Sequence, residues 1–155
     1  MARDGAMTST TLLHELVAAS AARFPERAAL TSGTESLSYA ALQDRVDAFA
    51  DALIALGLGR SERVAIFLDK RAETVVAAFG TTSAGGTFVP VNPLLKPEQV
   101  AYILRDCGVR VLVTTAERLA LLAPALAECG DLRHVVVIRG ETPSPDAVAA
   151  VPVHR

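Results

Sequence analysis

From Arg63 to Ile138 the chain alternates short, unbroken apolar runs with longer stretches of helical period, and few folds accept that pattern. The runs Val64 to Leu68, Thr87 to Val91, Val109 to Thr114 and His134 to Ile138 read as strands. They lack the polar alternation of a half-exposed sheet, so both their faces need covering. Helices at about Ala72 to Ala84, Pro97 to Cys107 and Thr115 to Glu128 supply that cover. Strands alternating with helices give a parallel sheet with helices on its two faces. The punctuation agrees: Gly85, Gly108 and Gly130 stand where a helix ends in a left-handed residue, and Pro97 suits a first helical position. Thr114 and Glu117 have the spacing of a capping box.

The segment before Arg63 has a different pattern. Leu12, Leu13, Leu16, Val17 and Phe24 recur at near-helical spacing behind Thr11, a candidate N-cap, until Pro25 stops the run, which predicts an amphipathic helix. Ala28 to Thr31 and Glu35 to Ser38 flank the turn composition Ser32-Gly33-Thr34 and predict a hairpin. Leu42, Val46, Phe49, Ala50, Leu53 and Ile54 then form one face of a long helix that begins after Ser38 and closes at Gly57. The expected fold is α/β: an N-terminal helix and β-hairpin, then a four-stranded parallel sheet flanked by helices. Residues 1–10 read as a flexible arm, 11–140 as the folded unit, and 141–155, with three prolines and no period, as a linker-like tail.

At 155 residues a single domain can bury roughly 68–70% of the surface its unfolded chain exposes. Fifteen basic and seventeen acidic side chains give a net charge of -2, with no basic stripe, so nucleic acid is not an expected partner. No run approaches the ~18 apolar residues of a membrane span, and His14 and Glu15 interrupt the first apolar run, against a secretory signal. Cys107 and Cys129 match neither a metal-ligand spacing nor a C-x-x-C motif; they read as buried thiols of a cytoplasmic protein.

Candidate chemistry is sparse. Asp69-Lys70-Arg71 and Asn92 fall just beyond strands, at the carboxyl edge where open α/β sheets bind ligands. Asp69 is equally an N-cap and Asn92-Pro93 equally a turn, and these are the readings taken. His14, His134 and His154 are scattered and assemble no nucleophile, base and orienting acid. Neither G-x-G-x-x-G nor G-x-x-x-x-G-K-S/T occurs. No catalytic, cofactor-binding or metal-binding residue is assigned.

The stretch from Thr81 to Cys107, TTSAGGTFVPVNPLLKPEQVAYILRDC, resembles a core block of the adenylate-forming ligases, the acyl-CoA synthetases and peptide-synthetase adenylation domains. Within it Ala84 to Pro93, AGGTFVPVNP, is similar to that family's second core motif, and Leu37 to Leu42, LSYAAL, resembles its first. Phe24 to Leu30 resembles the family's entry into its first strand, and Gly57 to Leu68, GLGRSERVAIFL, its helix-to-strand passage. The likeness covers roughly residues 12 to 140 and implies the opening subdomain of the acyl-CoA synthetase-like fold.

It implies chemistry as well. A carboxylate attacks the α-phosphate of Mg-ATP to give an acyl-adenylate, and a thiol, from coenzyme A or a carrier, then displaces AMP. The family's phosphate loop and catalytic lysine lie further along than Arg155. Thr31-Ser32-Gly33-Thr34 shares the opening of that loop, but Glu35 follows where a carboxylate would repel phosphate, so it reads as the hairpin turn. ATP, Mg and coenzyme A are thus implied for the complete family enzyme and none for this chain alone, which is expected to be a truncated ligase fragment, silent by itself. Its expected partners are the remainder of the ligase, or its own copies, through apolar surface left open near the sheet edge and the tail. The alternative is an autonomous flavodoxin-like binding module or a regulatory pseudo-subunit. The hairpin and long helix count against the flavodoxin-like reading, since a minimal doubly wound domain does not need them.

Overall fold

A computed structural model describes residues 12–138 and 148–152. Helix α1 (Glu15–Arg23) leads into the hairpin strands β1 (Ala28–Ser32) and β2 (Glu35–Ser38), then helix α2 (Tyr39–Ala55). The larger unit follows as β3 (Arg63–Ile66), α3 (Ala72–Ser83), β4 (Thr87–Pro90), α4 (Pro97–Asp106), β5 (Val109–Thr115), α5 (Ala116–Leu126), β6 (His134–Ile138) and β7 (Val148–Pro152). Strands β1 and β2 form an antiparallel pair, and the other five form one sheet in the order β4-β3-β5-β6-β7. The four expected strands are parallel: Val64 lies beside Phe88 and Val111, and Val113 beside Val136.

The unbroken apolar runs divide between two cores. Val64, Ile66, Val111, Val113 and Val136 face α2 and α3, while Ala65, Phe67, Leu112, Val135 and Val137 face α4 and α5. With period-2 geometry the apolar residues of the inner strands β3, β5 and β6 are buried on both faces, while β4, at the sheet edge, leaves Thr87 and Pro90 exposed. The long helix behaves as its stripe requires: Leu42, Val46, Phe49, Ala50 and Leu53 are buried, and the Ser38 hydroxyl caps it by accepting from the Ala41 N–H at 3.2 Å. Ile54, read as part of that stripe, is 57% exposed. Gly85 adopts φ +81 at the end of α3, and a Cβ on Gly86 would lie 2.9 Å from Leu58 Cδ2 and 3.2 Å from the Glu62 carbonyl oxygen, so the AGG turn favours glycine at both positions.

Several expectations are corrected. The cap of α5 is Thr115, whose hydroxyl accepts from the Arg118 N–H at 3.4 Å; Thr114 is fully buried and donates its hydroxyl to the Phe67 carbonyl at 3.1 Å. The supposed box thus sits one residue early. Asp69 does not cap α3, whose N-cap is Arg71. Helix α1 starts after His14, which makes no side-chain cap, and Thr11 lies outside the described residues. That helix buries only Val17, leaving Leu12, Leu13, Leu16 and Phe24 exposed. Exposed apolar side chains thus gather in and beside α1, and the burial of the tail lies outside the described residues. Cys129 is buried as expected, but Cys107 is only half-buried. The stretch read as a linker-like tail, residues 141–155, contains β7, antiparallel to β6 from His134↔Pro152 to Ile138↔Val148. Its other residues, and the arm 1–10, lie outside the described residues. Among the described residues no helix is long and apolar enough to cross a membrane.

Candidate functional site: the carboxyl-edge cleft

In the order β4-β3-β5-β6 the chain leaves β3 toward β4 and returns past it to β5. Connections on opposite sides of the β3/β5 boundary open a crevice at the carboxyl ends of those strands, the usual ligand position in open α/β sheets. A cleft of about 720 Å3 lies there, walled by Phe67 and Asp69 after β3, Pro93 and Leu95 after β4, and Thr115 and Arg118 at the start of α5.

Arg118 organises this edge. Its Nη2 donates to Asp69 Oδ1 at 2.8 Å, its Nη1 donates to the Pro93 carbonyl at 2.8 Å, and its guanidinium lies 4.6 Å from the centre of the Phe67 ring. Three loop positions brought together by the parallel sheet are thus tied by one planar cation, which has the fork geometry and aromatic affinity the task requires. Arg118 was not singled out from sequence. One signal was present: a cation in the first turn opposes the helix macrodipole, a small cost that a tertiary partner can offset.

The residues that sequence did single out serve the backbone. Asn92 Oδ1 accepts from the Leu94 N–H at 3.0 Å, an Asx turn. The Asp69 carbonyl accepts from the Thr74 hydroxyl at 2.7 Å, pinning the entry to α3. Arg71 pairs with Glu73 at 2.7 Å. Burial of Glu73 opposes its ionisation, yet the Arg71 hydrogen bonds prevail and hold its carboxyl below the ordinary value of 4.5. These two residues, with Lys70 and Arg45, border a second hollow of about 860 Å3 against the hairpin. Thr31 and Ser32 end β1 and Gly33-Thr34 makes the hairpin turn, with Gly33 at φ +58 and Ser32 beside Glu35. That closed turn does not fit a nucleotide phosphate. His14 precedes α1 and His134 opens β6, far apart in the element order; His154 lies outside the described residues. Among the described residues no group of three His, Cys, Asp or Glu side chains could hold a metal ion.

At the opposite, amino edge the charges are structural. Glu62 accepts from the Gly59 N–H at 2.8 Å and from Arg110 Nε at 3.0 Å, with Arg133 at 3.7 Å. Arg63 donates to the carbonyls of Cys107 at 2.6 Å and Gly108 at 2.9 Å. The Gly59 hydrogen bond, helped by Arg110 and Arg133 against the effect of burial, holds the Glu62 carboxyl below its ordinary value.

With this geometry in place, comparison with known proteins is decisive. Residues 17–153 match the family described as AMP-binding enzyme. The chain belongs to that family. Among curated AMP-binding relatives, it is 37% identical over 123 residues to tyrocidine synthase 3 of Brevibacillus parabrevis, covering 77% of this chain and 2% of that protein. It is 37% identical over 139 residues to the N-(5-amino-5-carboxypentanoyl)-L-cysteinyl-D-valine synthase of Streptomyces clavuligerus, covering 88% and 17%. Of solved structures, the anthranilate CoA ligase AuaEII in complex with anthranoyl-AMP superposes with TM-score 0.79 at 29% identity, covering 83% of this chain and 25% of that one. The N-terminal domain of FACL13 from Mycobacterium tuberculosis superposes with TM-score 0.73 at 25% identity, covering 79% and 32%. The chain therefore spans less than a third of each of these proteins. It corresponds to part of an adenylate-forming ligase and has the α/β architecture of acyl-CoA synthetase-like N-terminal domains.

Proposed function

We propose that this chain is the opening α/β part of an ATP-dependent ligase of the acyl-CoA synthetase type, which activates a carboxylate as its adenylate and passes the acyl group to coenzyme A. The observation that carries the reading is the superposition on a CoA ligase across 83% of the chain. The physical demands of adenylation are cations around the developing charge on the α-phosphate and a carboxylate held in line with it. Two observations support placing those demands on the rest of the enzyme: the hairpin turn sets Glu35 beside Ser32, and Arg118 and Arg71 are engaged with Asp69 and Glu73. ATP, Mg and coenzyme A accordingly belong to the complete enzyme, and this chain supplies sheet, cleft walls and packing surface. Its partner is the rest of the ligase or a second copy, and its place is the cytoplasm.

A second reading has its own observation. The curated relatives at 37% identity are peptide synthases, so the acceptor thiol could equally be carried on a protein. One experiment separates these readings: carboxylate-dependent ATP–pyrophosphate exchange by the full polypeptide its gene encodes, over fatty, aryl and amino acids, followed by thioester analysis. Fatty or aryl acids trapped as coenzyme A thioesters support the proposal. Aminoacyl thioesters on a carrier move the assignment to the second reading, and absence of exchange with all three acid classes sinks ligase function. Residues 1–155 alone are expected to give no exchange, and exchange that survives repurification would overturn the division of labour stated above.

A further inference from the structure

We propose that Arg118 is a positioning residue: it fixes the walls of the carboxyl-edge cleft by clamping the β3 and β4 exit loops to the first turn of α5. This rests on the ligase reading only for what the cleft is used for. The clamp itself stands on geometry. The β3 exit carries Asp69 and the β4 exit carries Pro93, and each gives Arg118 an acceptor at 2.8 Å, on different guanidinium nitrogens. The Phe67 ring, its centre 4.6 Å from the guanidinium carbon, adds an aromatic contact to the two hydrogen bonds. Arg118 is 19% exposed and Asp69 69%, so the cation is the sheltered end of the pair and the loops are held to it. The sheet ladder ends at Phe67, whose N–H donates to the Val113 carbonyl at 2.9 Å, and at Val91, whose N–H donates to the Ile66 carbonyl at 2.9 Å; past those points the loops show short local bonds such as Leu94 to Asn92, Leu95 to Asn92 and Thr74 to Arg71. Such bonds do not tie one loop to another.

A ligand entering a cleft whose walls are already fixed loses less ordering entropy than one that must gather them. Loss of the clamp should therefore appear as local loosening and weaker binding, with the chemical step untouched. Methionine keeps much of the arginine stem and removes the fork; lysine keeps the charge but offers one point in place of two.

Amide hydrogen exchange on the 155-residue chain gives the first readout. In Arg118→Met the amides of Thr74, Leu94 and Leu95 should exchange at least about tenfold faster, while those of Val111 to Val113 stay within about twofold. Arg118→Lys should recover part of the protection, and Asp69→Asn should loosen Thr74 more than Leu94. Unchanged exchange in the two loops overturns the proposal, as does equal acceleration in β5, which would make Arg118 a contributor to global stability. This readout needs no turnover, so it fails or holds independently of the ligase reading. In the full polypeptide, Arg118→Met should raise KM for the carboxylate about fivefold with kcat within about twofold; a fall in kcat at constant KM places Arg118 in the chemistry and overturns positioning.

Discussion

At the scale of single residues, the side chains that stand out are those whose polar atoms have found distant partners or none. Thr81 is completely buried, and its hydroxyl has no hydrogen-bond partner. A buried unpaired hydroxyl costs about 1–3 kcal/mol, and valine has nearly the same shape. Thr81→Val should therefore stabilise the fold by about 1 kcal/mol, raising Tm by roughly 2–4 °C; thermal unfolding that shows a loss would mean the hydroxyl has a partner after all. Glu62 allows a test by pH. Its folded carboxyl lies below the ordinary value, so its contribution is fully present above the unfolded pKa and is lost as pH falls through the lower folded one. Urea midpoints for the parent and Glu62→Gln should differ most near neutrality and converge as pH falls below about 4. A constant difference down to pH 3 would remove ionisation from the account. The long-range pairings were not legible in the sequence, because Glu62 meets Arg110 48 residues on and Arg118 meets Asp69 49 residues back.

At the scale of elements, legibility follows how local the cause is. The stripe of α2, apart from Ile54, the helix start after Ser38 and the hairpin turn arise within a few residues, and they stand where the local pattern places them. The start of α5 was displaced by one because Thr114 and Thr115 are both good caps; Thr114 is drawn inward to the Phe67 carbonyl, a strand contact no local rule contains. The α2 and α3 pairing has a similar hidden determinant. A Cβ added at Gly80 would lie 2.8 Å from Phe49 Cδ1 and 3.0 Å from the Val46 carbonyl oxygen. The ring can turn, but the carbonyl belongs to a helix backbone. Gly80→Ala gains up to about 1 kcal/mol in helix propensity yet should be destabilising by a net ~1–2 kcal/mol, since overpacking costs about 1–3. Denaturant unfolding checks the sign, and a stabilised variant would show that the two helices slide apart freely.

At the scale of the whole molecule, the telling feature is the set of exposed apolar side chains in and beside helix α1. Leu12, Leu13, Leu16 and Phe24 are each at least 42% exposed, against 5% for Val17. Contiguous exposed apolar surface marks an interaction site or an aggregation liability, so the chain should self-associate with rising concentration. Replacing Leu13 and Leu16 together by glutamate should shift it toward monomer in light scattering. A parent chain that stays monomeric throughout would favour an autonomous domain. The sequence by itself determined the parallel α/β sheet, the order of its helices and the family, because unbroken apolar runs, glycine turns and the AGGTFVPVNP block are properties of neighbouring residues. Only the tertiary structure decided that β5 lies on the far side of β3 from β4, that the tail returns as an antiparallel strand, and that Arg118 closes the cleft those strands open. The reason is physical. Period and propensity are summed along the chain, whereas a switch point and a clamp exist only where segments far apart in sequence meet.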